Sequence, residues 1–188
     1  MDSTIRKHLD NLYSKNAEVR YASFRYLQDE TREPVLWVKL AWDDLLALLH
    51  GDNHQRAIGA QLLSSLAKSD PDRMMNSLNS FMRVTEDDFF KTARYALQSV
   101  WKIGVASTEL KEEVIKRLGK RFKECNEGKN CELIRRDIIE VFRKMYDYLK
   151  DEYIKDYTLI LIEKETEEKY RKKYSGLWND ILRPELQK

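Results

Sequence analysis

The sequence predicts an all-α protein, and three observations carry that reading. Apolar residues recur at helical spacing nearly everywhere, as in Val19, Ala22, Tyr26 and Leu27 or Ile134, Ile138, Val141, Phe142 and Met145, while period-two alternation is almost absent. Six glycines and three prolines are too few turn-formers for a sandwich or barrel of 188 residues. Of the residues, 42% are hydrophobic and 35% charged, which supplies a core inside a heavily solvated exterior.

About ten helices follow in order. The first is expected over 3–13, with Leu9 and Leu12 on its apolar face, and the second over 17–29, on the stripe from Val19 to Leu27. A third over 34–49 ends in the apolar run Leu45 to Leu49 before Gly51, and a fourth over 54–68 carries Ile58 and Leu63. Asp70 before Pro71 predicts the start of a fifth over 71–83, because proline lacks the N–H that the first helical position leaves unused. Thr85 followed by Asp88 resembles a capping box for a sixth over 87–103, whose core stripe is Ala93, Ala96, Leu97, Val100 and Ile103. A seventh over 108–125 and an eighth over 131–149 flank Gly128. A ninth over 151–164 includes Tyr157 to Ile162, whose composition also suits a strand, but a lone strand would have no partner. The tenth covers 167–182.

Composition also limits what the chain can do. Basic and acidic residues number 34 and 32, a net of +2, where a dedicated duplex binder carries a strong basic excess. The basic stretches Lys111 to Lys123 and Lys169 to Lys173 read as solvated faces, so nucleic acid is not expected as a partner. Cys125 and Cys131 have neither a zinc spacing nor a disulfide-framework pattern and are expected to be free thiols in a reducing cytosol. The opening MDSTIRKHLD has no apolar signal region and no run is long enough to span a bilayer, so a cytoplasmic protein without a membrane partner is expected. His50 and His54 flank Asp52, yet Gly51 and Asn53 place them in a turn and no third ligand has suitable spacing, so no metal and no cofactor are expected. Glycine-rich phosphate loops and nucleophile motifs are absent, and the chain is not expected to be an enzyme.

Sliding the sequence by 36 residues places Leu9, Leu12, Arg20, Ser23 and Leu27 on Leu45, Leu48, Arg56, Gly59 and Leu63, and a further shift of 37 reaches Ala96 and Val100. A small residue at the Ser23, Gly59 and Ala96 position would let the second helix of each pair approach its neighbour closely. The string NAEVRYASFRYL, and HGDNHQRAIGAQLL after it, resembles the second helix of a HEAT repeat, clearly over 1–104 and loosely over 107–188. The resemblance implies a single domain, 1–188, built as a right-handed α-α superhelix of about five helix pairs. It also implies a ladder of arginines, Arg20, Arg56, Arg94 and Arg135, with polar turn partners at Ser14, Asn16, Asp52 and Asp88.

On that reading the second helices line a concave surface. The repeat phase turns Tyr21, Arg25, Gln61, Arg94, Gln98, Trp101, Arg136, Glu140 and Arg143 toward it, and Trp101 is expected to be a half-exposed anchor. Trp37, Trp42 and Trp178 are expected in the core. The function implied is a non-catalytic scaffold that binds another macromolecule, a protein, along this surface. The alternative is a HEAT-like DNA-binding protein or alkylpurine DNA glycosylase-like enzyme, in which Trp101, Arg94 and Arg136 would furnish the concave face with Glu140 near the lesion.

Overall fold

Polar side chains at helix entrances set the frame of the fold. A computed structural model describes residues 2–125 and 128–182. Asp2 caps α1 (Ser3–Asn11), Asn16 caps α2 (Ala17–Glu30) and Asp70 caps α5 (Pro71–Val84), each side chain accepting from a backbone N–H of the first turn. Between them lie α3 (Val38–Leu48) and α4 (Asn53–Leu66). At α4 the Asp52 carboxylate accepts from His54 and Gln55 N–H while the Gln55 side chain accepts from Asp52 N–H, a complete capping box. There follow α6 (Phe90–Gly104), α7 (Thr108–Glu124), α8 (Cys131–Leu149), α9 (Glu152–Glu163), α10 (Glu168–Gly176) and α11 (Asn179–Leu182). No strand occurs among the described residues, and Tyr157 to Ile162 is helical within α9.

The departures from the expected boundaries have local causes. Helix α3 begins at Val38, not residue 34, and in the stretch before it Val35 N–H donates to Ser69 Oγ at 3.0 Å, tying the chain to the end of the second pair. Thr85 does not open a capping box. It ends α5, donating from Oγ1 to the Met82 carbonyl at 2.7 Å and accepting from Arg121 Nη1 at 2.8 Å. Helix α6 then waits until Phe90, since Asp87 accepts from Phe89 N–H at 2.9 Å and holds that turn outside the helix. The expected tenth helix breaks after Gly176 into α10 and α11. Helix α8 ends on Lys150 in the left-handed region, φ 53°, a role usually taken by glycine.

Consecutive helices pack in pairs, α1 with α2 through α9 with α10, and the pairs stack into a helical solenoid. The second helices form a continuous layer, α2 on α4, α4 on α6, α6 on α8 and α8 on α10. Both helices of each pair contribute buried faces to one continuous apolar core that runs from Ile5 to Trp178. Ser23 and Ala96 are buried, and Gly59 is a point of contact where an added Cβ would lie 2.8 Å from Leu48 Cβ and 3.1 Å from the Leu45 carbonyl oxygen. Trp42 and Trp178 are buried and Trp37 packs partly exposed against the core. Trp42 Nε1 donates to Ser77 Oγ at 3.1 Å, tying α3 to α5.

Charged pairs fasten each unit to the next. Arg56 holds Asp87 through two hydrogen bonds of 2.5 and 2.9 Å, Arg94 holds Asp137 through two of 2.6 and 2.8 Å, and Arg135 reaches Glu165 at 2.7 Å. These acids differ from the partners expected in the preceding turns. Asn16 and Asp52 instead cap α2 and α4, and Arg20 donates to the Ser14 and Lys15 carbonyls at 2.7 and 3.1 Å. The other correction concerns the cysteines: Cys125, just past α7, and Cys131, the first residue of α8, are joined by a disulfide. The two sulfurs therefore give no support to a reducing compartment.

Candidate surface of the second-helix layer

The α2, α4 and α6 helices rise side by side, and residues one turn apart along them share a face. Tyr21, Arg25 and Gln28 of α2 meet His54, Ile58 and Gln61 of α4 and Tyr95 of α6 around a groove of about 680 Å³. Arg20, Phe24, Ala17 and Ala57 complete its walls. Three of the expected surface residues, Tyr21, Arg25 and Gln61, thus fall in one place. Tyr21 is 62% exposed and Tyr95 52%, so two large aromatic rings stand at the rim with little to gain from the rest of the chain. Arg25 has no ion pair among the described residues, whereas Gln61 Nε2 donates to the Ala57 carbonyl at 3.0 Å.

A smaller cavity of about 200 Å³ opens at the C-terminal ends of the same helices, lined by Gln28, Thr31, Arg32, Ser65, Lys68, Trp101 and Lys102. Gln28 belongs to both, so the two form one path along the layer. Trp101 is half-buried: its ring leans on the core and also borders this cavity. No carboxylate lines either space, while Arg20, Arg25, Arg32, Lys68, Lys102 and His54 do.

The other expected residues are engaged elsewhere. Arg94 and Gln98 both point at Asp137, Gln98 donating at 3.1 Å, and lie between α6 and α8. Arg143 binds Asp180 and Asp147, donates to the Leu177 carbonyl at 2.9 Å and sits 5.5 Å from the Trp178 ring, which fastens α11 to α8. Those carboxylates hold its guanidinium pKa well above the ordinary value, the Asp180 hydrogen bond being the largest cause. Glu140 pairs with Lys144 at 2.8 Å. Arg136 is exposed and faces α10 across a cavity of about 330 Å³ with Tyr170 and Lys173.

Two contributors escaped sequence reading. Tyr95 falls on the repeat position of Ala22 and Ile58, and that register was the available signal for it. Lys102 carried none, because its character comes from burial. Its ammonium donates to Ser65 Oγ at 2.8 Å, and burial, then the like charges of Lys68 and Lys144, lower its pKa. The arrangement offers aromatic faces and cations to an incoming group. Among the described residues no helix is long and apolar enough to cross a membrane. No protein-family model and no curated protein matches the chain in sequence.

Proposed function

We propose that the protein is a HEAT-like, non-catalytic scaffold that binds an acidic segment of another protein along its second-helix layer. The observation that carries this is the path through the groove and its neighbouring cavity, which is bordered by cations and exposed aromatic rings and by no carboxylate. An extended acidic segment would bury Tyr21 and Tyr95 and satisfy Arg25, and exposed aromatics beside arginine are the usual anchors of such contacts. The recurrence of Ser23, Gly59 and Ala96 at one buried position, and of arginine pairs from unit to unit, supports the HEAT likeness.

The same basic and aromatic lining favours a second reading, single-stranded nucleic acid stacked on the tyrosines. Site-specific photo-crosslinking separates the two. A photoreactive residue at position 21 or 95 should capture a protein in native cells, and one at the exposed Leu36, away from the groove, should not. Capture of nucleic acid from positions 21 and 95, or equal capture from 36, overturns the protein reading.

A further inference from the structure

The cavity at the C-terminal ends of α2, α4 and α6 holds a charge problem that the fold leaves open. Lys102 is half-buried, and the other charges that act on it are both positive, Lys68 and Lys144. Lys144 is neutralised by Glu140, but Lys68 and Lys102 have no carboxylate partner among the described residues. Lys68 instead donates to Tyr148 Oη at 2.6 Å with its ammonium 4.1 Å from that ring. Lys102 spends one of three donors on Ser65 Oγ, which itself donates to the Gln61 carbonyl at 3.0 Å. Arg121, the other cation whose pKa burial lowers, differs in kind: both its terminal nitrogens are used, at 2.8 Å, on Thr85. Arg121 closes a helix end, whereas Lys102 has donors to spare beside an open space.

We propose that this cavity is a site for a phosphate-type oxyanion, held by Lys68 and Lys102, with Ser65 orienting the Lys102 ammonium and Trp101 as its wall. Size and charge select the ligand. A space of about 200 Å³ is smaller than the pockets that take drug-sized molecules, roughly 300–1,000 Å³, so the cavity itself fits a compact group. Two unpaired ammonium groups match a phosphate carrying about two negative charges better than a single carboxylate. The phosphate can be free, or can be the modified side chain of a segment lying in the adjoining groove. The site stands on its own cavity and does not depend on a protein occupying that groove.

Inorganic phosphate titrated into the full chain at a constant ionic strength of about 0.15 M tests it, with calorimetry and tryptophan fluorescence as readouts. The expected result is saturable one-site binding with Kd on the order of 1 mM, and acetate weaker by about tenfold or more. Lys102→Gln and Lys68→Gln should each weaken phosphate by about tenfold, while Lys39→Gln on the other helix layer should change nothing. Each site variant removes a charge without a carboxylate partner together with one side-chain hydrogen bond, so melting temperatures within about 3 °C of wild type check that they fold. A short phosphoserine peptide identifies the source: binding about tenfold tighter than phosphate assigns a phosphorylated segment, and equal binding assigns free phosphate. The proposal is overturned by non-saturating titrations with both probes, by acetate binding as well as phosphate, or by Lys39→Gln weakening phosphate as much as the site variants. In those cases the lysines serve only to offset the negative ends of the helices.

Discussion

Arg94 lies on α6 and Asp137 on α8, and the carboxylate side chain is 0% exposed while the guanidinium keeps 28%. Arg94→Met leaves Asp137 with Gln98 as its one side-chain hydrogen-bond partner among the described residues and should cost about 3–5 kcal/mol, read from a denaturation midpoint. Combining Arg94→Met with Asp137→Leu should recover most of that loss, because the cost comes from the stranded charge. The Arg56 pair behaves similarly in acid. Its hydrogen bonds hold the Asp87 pKa below the ordinary 3.8. A carboxylate whose folded value is depressed contributes stability fully above the unfolded value, and that contribution is lost as pH falls from about 4 through the lower folded value. Urea midpoints measured from pH 7 to pH 2 should therefore drop below pH 4, and Arg56→Gln should make that drop shallower. The arginines were legible at this scale because they recur with the repeat. Their acids were not, since Asp87, Asp137 and Glu165 follow their arginines at separations of 31, 43 and 30 residues, with no common period.

Helices were legible from periodicity and caps, and the places where reading failed are places where a side chain answers to another unit. Thr85 and Asp88 have the spacing of a capping box, but Thr85 is claimed by Arg121 of α7, which no local pattern can announce. Gly59 was legible as a packing point through its alignment with Ser23 and Ala96, and it yields a test. In an open helix, glycine to alanine gains about 1 kcal/mol. At Gly59 the new methyl meets Leu48 Cβ at 2.8 Å and a backbone oxygen at 3.1 Å, so Gly59→Ala should instead destabilise by about 1–3 kcal/mol. At Gly119 the nearest obstacle is the Tyr157 hydroxyl, the end of a side chain that can swing away, so Gly119→Ala should be neutral or better. Equal effects at the two glycines, measured by thermal melts, would contradict the close approach of α3 and α4.

Across the molecule the near-neutral total conceals a sorting of charge. Arginine–acid pairs between units consume several carboxylates in the stack, and the residues lining the path along α2, α4 and α6 include cations but no carboxylate, Arg32 alone among them reaching an acid, Asp29 at 2.7 Å, among the described residues. Composition gave no sign of this, because a sum of 34 basic and 32 acidic residues carries no position. Tyr21, Arg25 and Gln61 were legible through the repeat phase. The burial that sets Lys102 apart was not, since it depends on helices α4 and α6 meeting at their ends. Reversing one charge on the path tests the central claim most directly. Arg25 is exposed and carries no ion pair among the described residues, so Arg25→Glu should leave the melting temperature within about 2 °C of wild type. Measured against the protein captured at positions 21 and 95, the same substitution should weaken binding by about tenfold or more, and the residual binding should vary less with salt. Unchanged affinity with an intact fold would contradict recognition through this face.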